Sequence, residues 1–231
     1  RDFEIYLSTR PDKYVGELAD WDNATQALRS ALEKTGVKFG IDEGGGAFYG
    51  PKIDVKVKDC LGRPWQCMTI QFDFNLPREE RLDIVFTDSD NTQKRPYVIH
   101  RALMGSVERF IGVLIEHYGG EFPLWLAPVQ VRVLSLTEKD EEYARQIHEK
   151  LGAAGFRSEI DLSNDRISYK IRNSTLEKVP YILVVGAKER EAGTVAVRER
   201  KAGDLGPRKF EDFLSDLRRL IGVSETAAAQ A

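Results

Sequence analysis

Val98-Ile-His-Arg-Ala-Leu-Met-Gly-Ser-Val-Glu-Arg-Phe110 holds a change of rhythm. Up to Met104, residues Tyr97, Ile99 and Leu103 alternate with Val98, Ala102 and Met104, the two-residue period of a strand. Beyond it, Val107, Phe110, Ile111, Leu114 and Tyr118 recur at helical spacing. Gly105-Ser106 predicts the break and the N-cap between them. The junction carries three polar side chains, His100, Ser106 and Arg109, with Arg109 in the first helical turn and off the apolar stripe. A helix N-terminus favours anions through its free amides and its dipole. A planar guanidinium beside it suits a phosphate tail. An isolated arginine in such a place is ordinarily a solvated surface group, so the weight falls on the rest of the chain.

Upstream, Phe3, Ile5 and Leu7 alternate with polar residues and predict a strand that ends before Pro11. Trp21, Ala24, Leu28, Ala31 and Leu32 predict a helix over 21–35, closed by Gly36. Val37–Ile41 predicts a short strand. Lys52–Lys58 and Trp65–Phe74 alternate cleanly on either side of Cys60-Leu-Gly-Arg-Pro64, the pattern of a hairpin in an antiparallel sheet. The polar stretch 78–94 predicts a connection with at most one short element.

Two prolines in Phe122-Pro-Leu-Trp-Leu-Ala-Pro128 break the helical pattern and predict a domain boundary. The domains expected are 1–126 and 127–222, with an alanine-rich, disordered tail over 223–231. After the boundary, strands and helices alternate. Strands are expected at 129–136, 156–160, 181–185 and 193–199, and helices at 138–153, 166–178 and 207–221. That order predicts an α/β unit with a mixed, mostly parallel sheet. The fold class is thus an α+β antiparallel region followed by an α/β domain.

Composition bounds the function. The 231 residues suffice for two ordinary domains, and 31% charged residues give a soluble surface. No apolar run approaches the ~20 residues of a membrane helix. Two cysteines do not make a disulfide framework, so a reducing, cytoplasmic location is expected. The chain opens Arg1-Asp2-Phe3, straight into strand alternation, which predicts a fold whose earlier strands lie outside it. Net charge is −3, but the stretch from Asp161 to Lys209 carries eleven Lys/Arg against seven Asp/Glu, a mild basic bias.

Candidate chemistry gathers on the facing strands. Simple alternation puts Gln66 with Met68 and Ile70 on one face, and Gln71 with Trp65, Cys67, Thr69 and Asp73 on the other. Each amide offers a donor and an acceptor to a small polar ligand, or merely lines a wet sheet face. Tyr49 and Lys52, at a strand entrance, suit a carboxylate or phosphate. Cys60 and Cys67 are too far apart for a close pair, and His100, His117 and His148 sit on different elements, so spacing alone closes no zinc site. No nucleophile elbow, phosphate-gripping loop or dinucleotide fingerprint is present. Further on, Asn164 precedes a helix, Glu189 lies in an expected loop, and Arg198 and Arg200 share a strand face. Such side chains read the edges of unstacked RNA bases, or form a charged surface.

Several segments together resemble one family. They are Leu7-Ser-Thr-Arg-Pro-Asp-Lys-Tyr-Val-Gly16, Gly46-Ala-Phe-Tyr-Gly-Pro-Lys-Ile-Asp54, Trp65-Gln-Cys67, Thr69-Ile-Gln71, Asp73-Phe74, Ile99-His-Arg-Ala102, Gly105-Ser-Val-Glu-Arg-Phe-Ile-Gly112 and Trp125-Leu-Ala-Pro-Val-Gln130. From residue 1 to about 220 the chain resembles the threonyl-tRNA synthetases, class II aminoacyl-tRNA synthetases. The resemblance implies the second half of a class II catalytic domain followed by an anticodon-binding domain. It implies ATP-dependent activation of threonine and transfer to threonine tRNA. Gly-Ser-x-Glu-Arg-Phe is similar to motif three, whose arginine holds the γ-phosphate of ATP, here Arg109. Lys52 would join Arg109 in catalysis, Gln66 and Ser106 would contact ATP, and Tyr49 and Gln71 the amino acid. Asn164, Glu189 and Arg198 would contact anticodon bases.

His100 matches one of three protein ligands of a zinc ion that binds threonine, and magnesium would accompany ATP. The family's other two zinc ligands, its motif one, which builds a homodimer, and its motif two have no counterpart here. The resemblance thus implies a piece that is inactive alone, with its zinc position unfilled. Two further readings are a non-catalytic, nucleic-acid-binding paralogue and a prolyl or histidyl ligase. Retention of Arg109, Lys52 and Gln66 counts against the first, and Trp-Gln-Cys with Ile-His-Arg against the second. The resemblance also implies that Arg109 and His100 open onto one shared cavity.

Overall fold

The computed structural model describes residues 3–222, so the tail expected at 223–231 lies outside the described residues. The chain divides into two compact units between His117 and Tyr118.

The first unit contains β1 (Phe3–Ser8), α1 (Leu18–Thr35), β2 (Gly40–Asp42), β3 (Lys52–Lys58), β4 (Pro64–Asp73), β7 (Val98–Ala102) and α2 (Val107–Tyr118). Between β4 and β7, β5 (Phe86–Thr87) and β6 (Gln93–Lys94) form a separate small ribbon. The main sheet runs β2-β1-β3-β4-β7 and is antiparallel except for the β1–β2 pair. Its register sorts the side chains. Leu7, Ile53 and Ile70 form one cross-strand row, and Ser8, Lys52, Gln71 and His100 form the next. Adjacent rows point to opposite faces. The apolar face takes α1, which buries Trp21, Ala24, Leu28 and Leu32 at helical spacing. Trp21 is 1% exposed, donates its indole N–H to Val15 O at 2.8 Å and meets Phe74 edge-on. Gly36, left-handed at φ 68°, closes the helix as its sequence predicts. The polar face is left for chemistry.

The second unit contains β8 (Val131–Ser135), a 3₁₀ turn (Glu138–Asp140), α3 (Glu141–Ala153), β9 (Ser158–Asp161), α4 (Ile167–Leu176), β10 (Tyr181–Val185), α5 (Ala187–Ala192), β11 (Thr194–Glu199), β12 (Gly203–Lys209) and α6 (Phe210–Leu220). The sheet order is β12-β11-β10-β8-β9, parallel on the β10-β8-β9 side and antiparallel on the other. Val131, Val133, Leu183, Val185, Val195 and Val197 form a buried row set against Ile147 and Leu151 of α3 and Phe213 and Leu217 of α6. Among the described residues, no helix is long and apolar enough to cross a membrane.

Three features depart from the sequence expectations. The division lies ahead of the boundary expected at 126, because the segment before it is bound into the second unit. Leu124 packs on that unit's core, Arg200 donates to Phe122 O at 3.0 Å, and Arg157 donates to Trp125 O at 2.9 Å and Ala127 O at 2.8 Å. Residues 203–209 form β12 where a helix from 207 was expected. Pro207 fits there because β12 is an edge strand that pairs only with β11, so a missing N–H is tolerated. The stretch after β10 is a helix, α5, and not a loop. The N–H of its N-cap residue, Gly186, donates to Glu189 Oε2 at 3.1 Å, and Gly193 closes it left-handed at φ 65°.

Candidate functional site

A cleft of about 370 Å³ opens on the polar face of the first sheet, lined by Tyr49, Lys52, Gln66, Thr69, Gln71, His100 and two alanines. The register explains the gathering. Lys52, Gln71 and His100 occupy one row across β3, β4 and β7, while Asp54, Thr69 and Ala102 occupy the row two residues along. Tyr49 arrives from the loop before β3. Gly50 is required there, since a Cβ at that position would lie 1.9 Å from Phe72 O. A larger groove, near 480 Å³, lies between Gly16, Arg78 and Tyr97, mixes charges of both signs and shares no residue with the cleft.

Gln66 is on the cleft side, which strict alternation does not predict. Val55 pairs with Met68 but Lys56 with Gln66, so Cys67 is the extra residue of a β-bulge. The bulge reverses the parity of β4 and brings Gln66 to the face of Thr69 and Gln71. It also shapes the junction beyond β7. Gly105, at φ 61°, sits where a Cβ would come within 3.2 Å of the Cys67 carbonyl.

The polar contacts are specific. Lys52 Nζ lies 2.7 Å from Asp54 Oδ2, and Asp54 is 2% exposed. Gln66 Nε2 donates to Asp54 Oδ1 at 2.6 Å and to Thr69 Oγ1 at 2.7 Å. Tyr49 OH donates to Gln71 Oε1 at 3.3 Å, while Gln71 Nε2 is buried and has no partner among the described residues. A buried amide without a partner is costly, and this one points to a ligand acceptor. His100 Nε2 lies 3.2 Å from Asp73 Oδ2, and Asp73 Oδ1 accepts the backbone N–H groups of Asn75 and Leu76. That carboxylate fixes the ring's attitude. Among the described residues no three His, Cys, Asp or Glu side chains cluster to hold a metal. One imidazole is short of the three protein ligands a zinc centre takes, so the described residues do not by themselves fit zinc.

Ser106 caps α2 as its sequence predicts, its hydroxyl accepting Arg109 N–H at 3.3 Å and donating to Glu108 Oε2 at 2.8 Å. Arg109 does not open onto the cavity of His100. It lines a neighbouring cleft of about 320 Å³ with Trp65, Val113 and Glu116. Its guanidinium donates to the Gln66 carbonyl at 3.1 Å and lies 5.7 Å from the centre of the Trp65 ring. The expected shared cavity is thus two clefts joined at Gln66, whose side chain lines one and whose carbonyl holds the arginine of the other. The attraction of the indole face and the strand carbonyl draws Arg109 aside. Trp65 is itself held through its indole N–H by Asp59 at 2.9 Å. That bond first, and the Arg63 contacts after it, hold the Asp59 carboxyl far below the usual carboxylate range.

In the second unit the candidate residues separate. Asn164 follows β9 and lies 3.4 Å from Glu138 Oε1, on the turn that follows β8. Glu189, in α5, follows β10 and caps its own helix. Both lie at the carboxyl edge of the parallel strands, where α/β sheets bind ligands. Arg198 does not join them at that edge. It pairs with Ile182 in register and projects from the face opposite the buried Val195 and Val197. Its Nη1 meets Asp204 Oδ2 at 2.8 Å. Arg200 lies past the end of β11 and donates to the carbonyls of Lys178 and Phe122. The two arginines are thus engaged with different partners, Arg198 with a side chain and Arg200 with backbone carbonyls. Asp54, Thr69, Asp73 and Trp65 were missed as contributors. The alternation of Lys52 with Asp54 already put that carboxylate beside the lysine, whereas the roles of Trp65 and Asp73 depend on cross-strand contacts.

Residues 4–118 match the family model of the tRNA synthetase class II core domain (G, H, P, S and T), and residues 130–220 match that of an anticodon binding domain. The threonine–tRNA ligase of Magnetococcus marinus is 56% identical over 230 residues, which are 100% of this chain and 34% of that protein. The threonine–tRNA ligase of Sulfurihydrogenibium sp. is 53% identical over 220 residues, 95% of this chain and 34% of that one. The RNA binding domain of threonyl-tRNA synthetase from Cryptosporidium parvum superposes with a TM-score of 0.83 at 39% identity, over 97% of this chain and 56% of that one. The chain thus spans about a third of the length of the curated relatives it matches. With a class II core segment and an anticodon-binding domain in the same order and at this identity, the chain belongs to the threonyl-tRNA synthetase family of class II aminoacyl-tRNA synthetases.

Proposed function

We propose that this chain serves as the carboxy-terminal part of a threonine–tRNA ligase, which joins threonine to threonine tRNA at the expense of ATP. The observation that carries the reading is the 56% identity to such a ligase across the whole chain. The cleft of Tyr49, Lys52, Gln66 and Gln71 beside Arg109 supports it.

In the reaction, the threonine carboxylate attacks the α-phosphate of ATP and pyrophosphate leaves. Positioning and charge neutralisation lower most of the barrier. Arg109 is the clamp on the departing phosphates. It moves no proton, since a guanidinium keeps its charge. Lys52 places an ammonium in the adjoining cleft, Gln66 and Ser106 stand on the ATP side, and Tyr49 and Gln71 face the amino acid. The unpaired Gln71 Nε2 supplies a donor for a substrate oxygen. Magnesium bound to ATP would neutralise part of the phosphate charge. Zinc held through His100 requires ligands beyond the described residues, and the steps assigned to this chain's side chains do not pass through it. Asn164, Glu189 and Arg198 contact anticodon bases in the second unit. The complete protein works as a cytoplasmic homodimer, and the 231 residues by themselves catalyse neither step.

The test is threonine-dependent exchange of pyrophosphate into ATP, using this chain joined to the segments that its longer relatives carry. Exchange driven by threonine, and not by proline or histidine, is the expected result. Exchange driven by proline or histidine instead would overturn the assignment.

A further inference from the structure

Four donors converge on one buried carboxylate beneath the cleft. Asp54 Oδ1 accepts from Gln66 Nε2 at 2.6 Å and from Thr69 Oγ1 at 2.9 Å. Asp54 Oδ2 accepts from Ser8 Oγ at 3.0 Å and pairs with Lys52 Nζ at 2.7 Å. Three of those partners line the cleft, while Ser8 is buried behind it. We propose that Asp54 is the positioning residue that sets the hydrogen-bond polarity of this cleft, by fixing which end of the Gln66 amide faces the ligand and where the Lys52 ammonium stands.

The chemistry leaves little choice. An ionised carboxylate only accepts, so the amide nitrogen of Gln66, and not its oxygen, must turn toward Asp54. The Thr69 hydroxyl has one proton and gives it to Asp54, so it too accepts from Gln66. The Gln66 amide nitrogen is thus committed to Asp54 and Thr69, and Oε1 is the atom it presents to a ligand. Gln71 is set the other way. Its Oε1 accepts from Tyr49, which leaves Nε2 as the donor. The cleft therefore offers an acceptor at Gln66, a donor at Gln71 and an ammonium at Lys52. It selects a ligand with a donor, such as a hydroxyl or amine, opposite Gln66 and an oxygen acceptor opposite Gln71. An asparagine at 54 would face the network with either end and release the amide of Gln66 to turn. Asp54 touches no ligand in this arrangement and acts through its partners.

The inference rests on the cleft being the ATP and amino-acid site of a ligase, and the experiment separates the two. It uses the full 231-residue chain and follows the Gln66 side-chain amide and the Lys52 ammonium by ¹⁵N NMR, with ATP as the titrant. In the wild type the Gln66 amide protons should exchange slowly with water. Asp54→Asn should shift both signals, speed the Gln66 exchange and weaken ATP about tenfold, the effect of losing charge-assisted bonds. Ser8→Ala, which removes a partner outside the cleft, should leave the Gln66 and Lys52 signals and the ATP affinity near wild type. If Asp54→Asn fails to fold, Thr69→Val takes its place. It removes one of the two acceptors of the amide and should speed Gln66 exchange while leaving Lys52 in place. Asp54→Asn or Thr69→Val with an unchanged Gln66 amide would overturn the proposal, as would an altered network with ATP affinity retained. A wild-type chain that shows the expected amide protection but binds no ATP would count against the ligase reading of the cleft and not against the role of Asp54.

Discussion

β8 and β7 are both five-residue strands, and their surroundings differ completely. Every residue of β8 is buried, whereas none of β7 is. The same contrast separates α6, which buries Phe210, Phe213, Leu214 and Leu217, from α2, which buries only Val113 and leaves Val107, Ile111 and Ile115 about half exposed. Yet α2 is the more apolar sequence. What α2 lacks among the described residues is a covering partner. The second unit closes its own core, while the first carries two of its candidate groups, His100 and Arg109, on a strand and a helix that are poorly covered. Stability and chemistry therefore answer to different parts of the chain.

That contrast can be broken by mutation. The largest effect expected is Phe213→Ala, which empties a fully buried site on α6 and should cost about 3–5 kcal/mol in chemical denaturation of the second unit. A loss below about 1 kcal/mol would show that the core is less closed than its burial indicates. Next is Arg109→Ala, which should lower pyrophosphate exchange on the order of 10²-fold in the completed ligase, as loss of a preorganised charge does. Unchanged exchange would remove the phosphate clamp from the account.

Arg198→Ala should weaken binding of the anticodon stem-loop of threonine tRNA by about 1–3 kcal/mol, a base contact's worth, with fluorescence anisotropy as the readout. An unchanged affinity would detach Arg198 from the RNA.

A pH experiment sharpens the picture of the first unit. The Asp59 carboxyl is held low, chiefly by the Trp65 indole N–H. A carboxyl with a depressed folded-state pKa stabilises the fold above its unfolded value of about 4, and the contribution fades as pH falls below that. The difference in Tm between wild type and Asp59→Asn should therefore be full at neutral pH and shrink below about pH 4. A difference that grows on acidification would refute the cause given. The smallest effect is Ile111→Ala on the open face of α2, expected within about 0.5 kcal/mol. A larger loss would mean that this face is covered after all.

The elements with strong periodicity were legible in the sequence: α1 with its Gly36 cap, β3 and β4 with their hairpin, and the strand-to-helix junction at Gly105-Ser106. Short or edge elements were not. β12 hides behind Pro207, and α5 behind a charged hexapeptide too short for a period. For the site, residue types were visible but faces were not. The bulge at Cys67 reverses parity without any local signal, since nothing in Trp65-Gln-Cys-Met marks an extra residue. The separation of Arg109 from the cleft of His100 also depends on contacts that no periodicity encodes.

The most direct measurement pairs two ligands on one protein. Arg109→Ala and Arg198→Ala, each in the 231-residue chain, are titrated with ATP and with the anticodon stem-loop of threonine tRNA. The division of labour between the units predicts a crossed result, in which the first substitution weakens ATP and leaves the RNA, and the second does the reverse. A substitution that weakens both ligands alike, or a wild-type chain that binds the stem-loop no better than one with a scrambled anticodon, would contradict it.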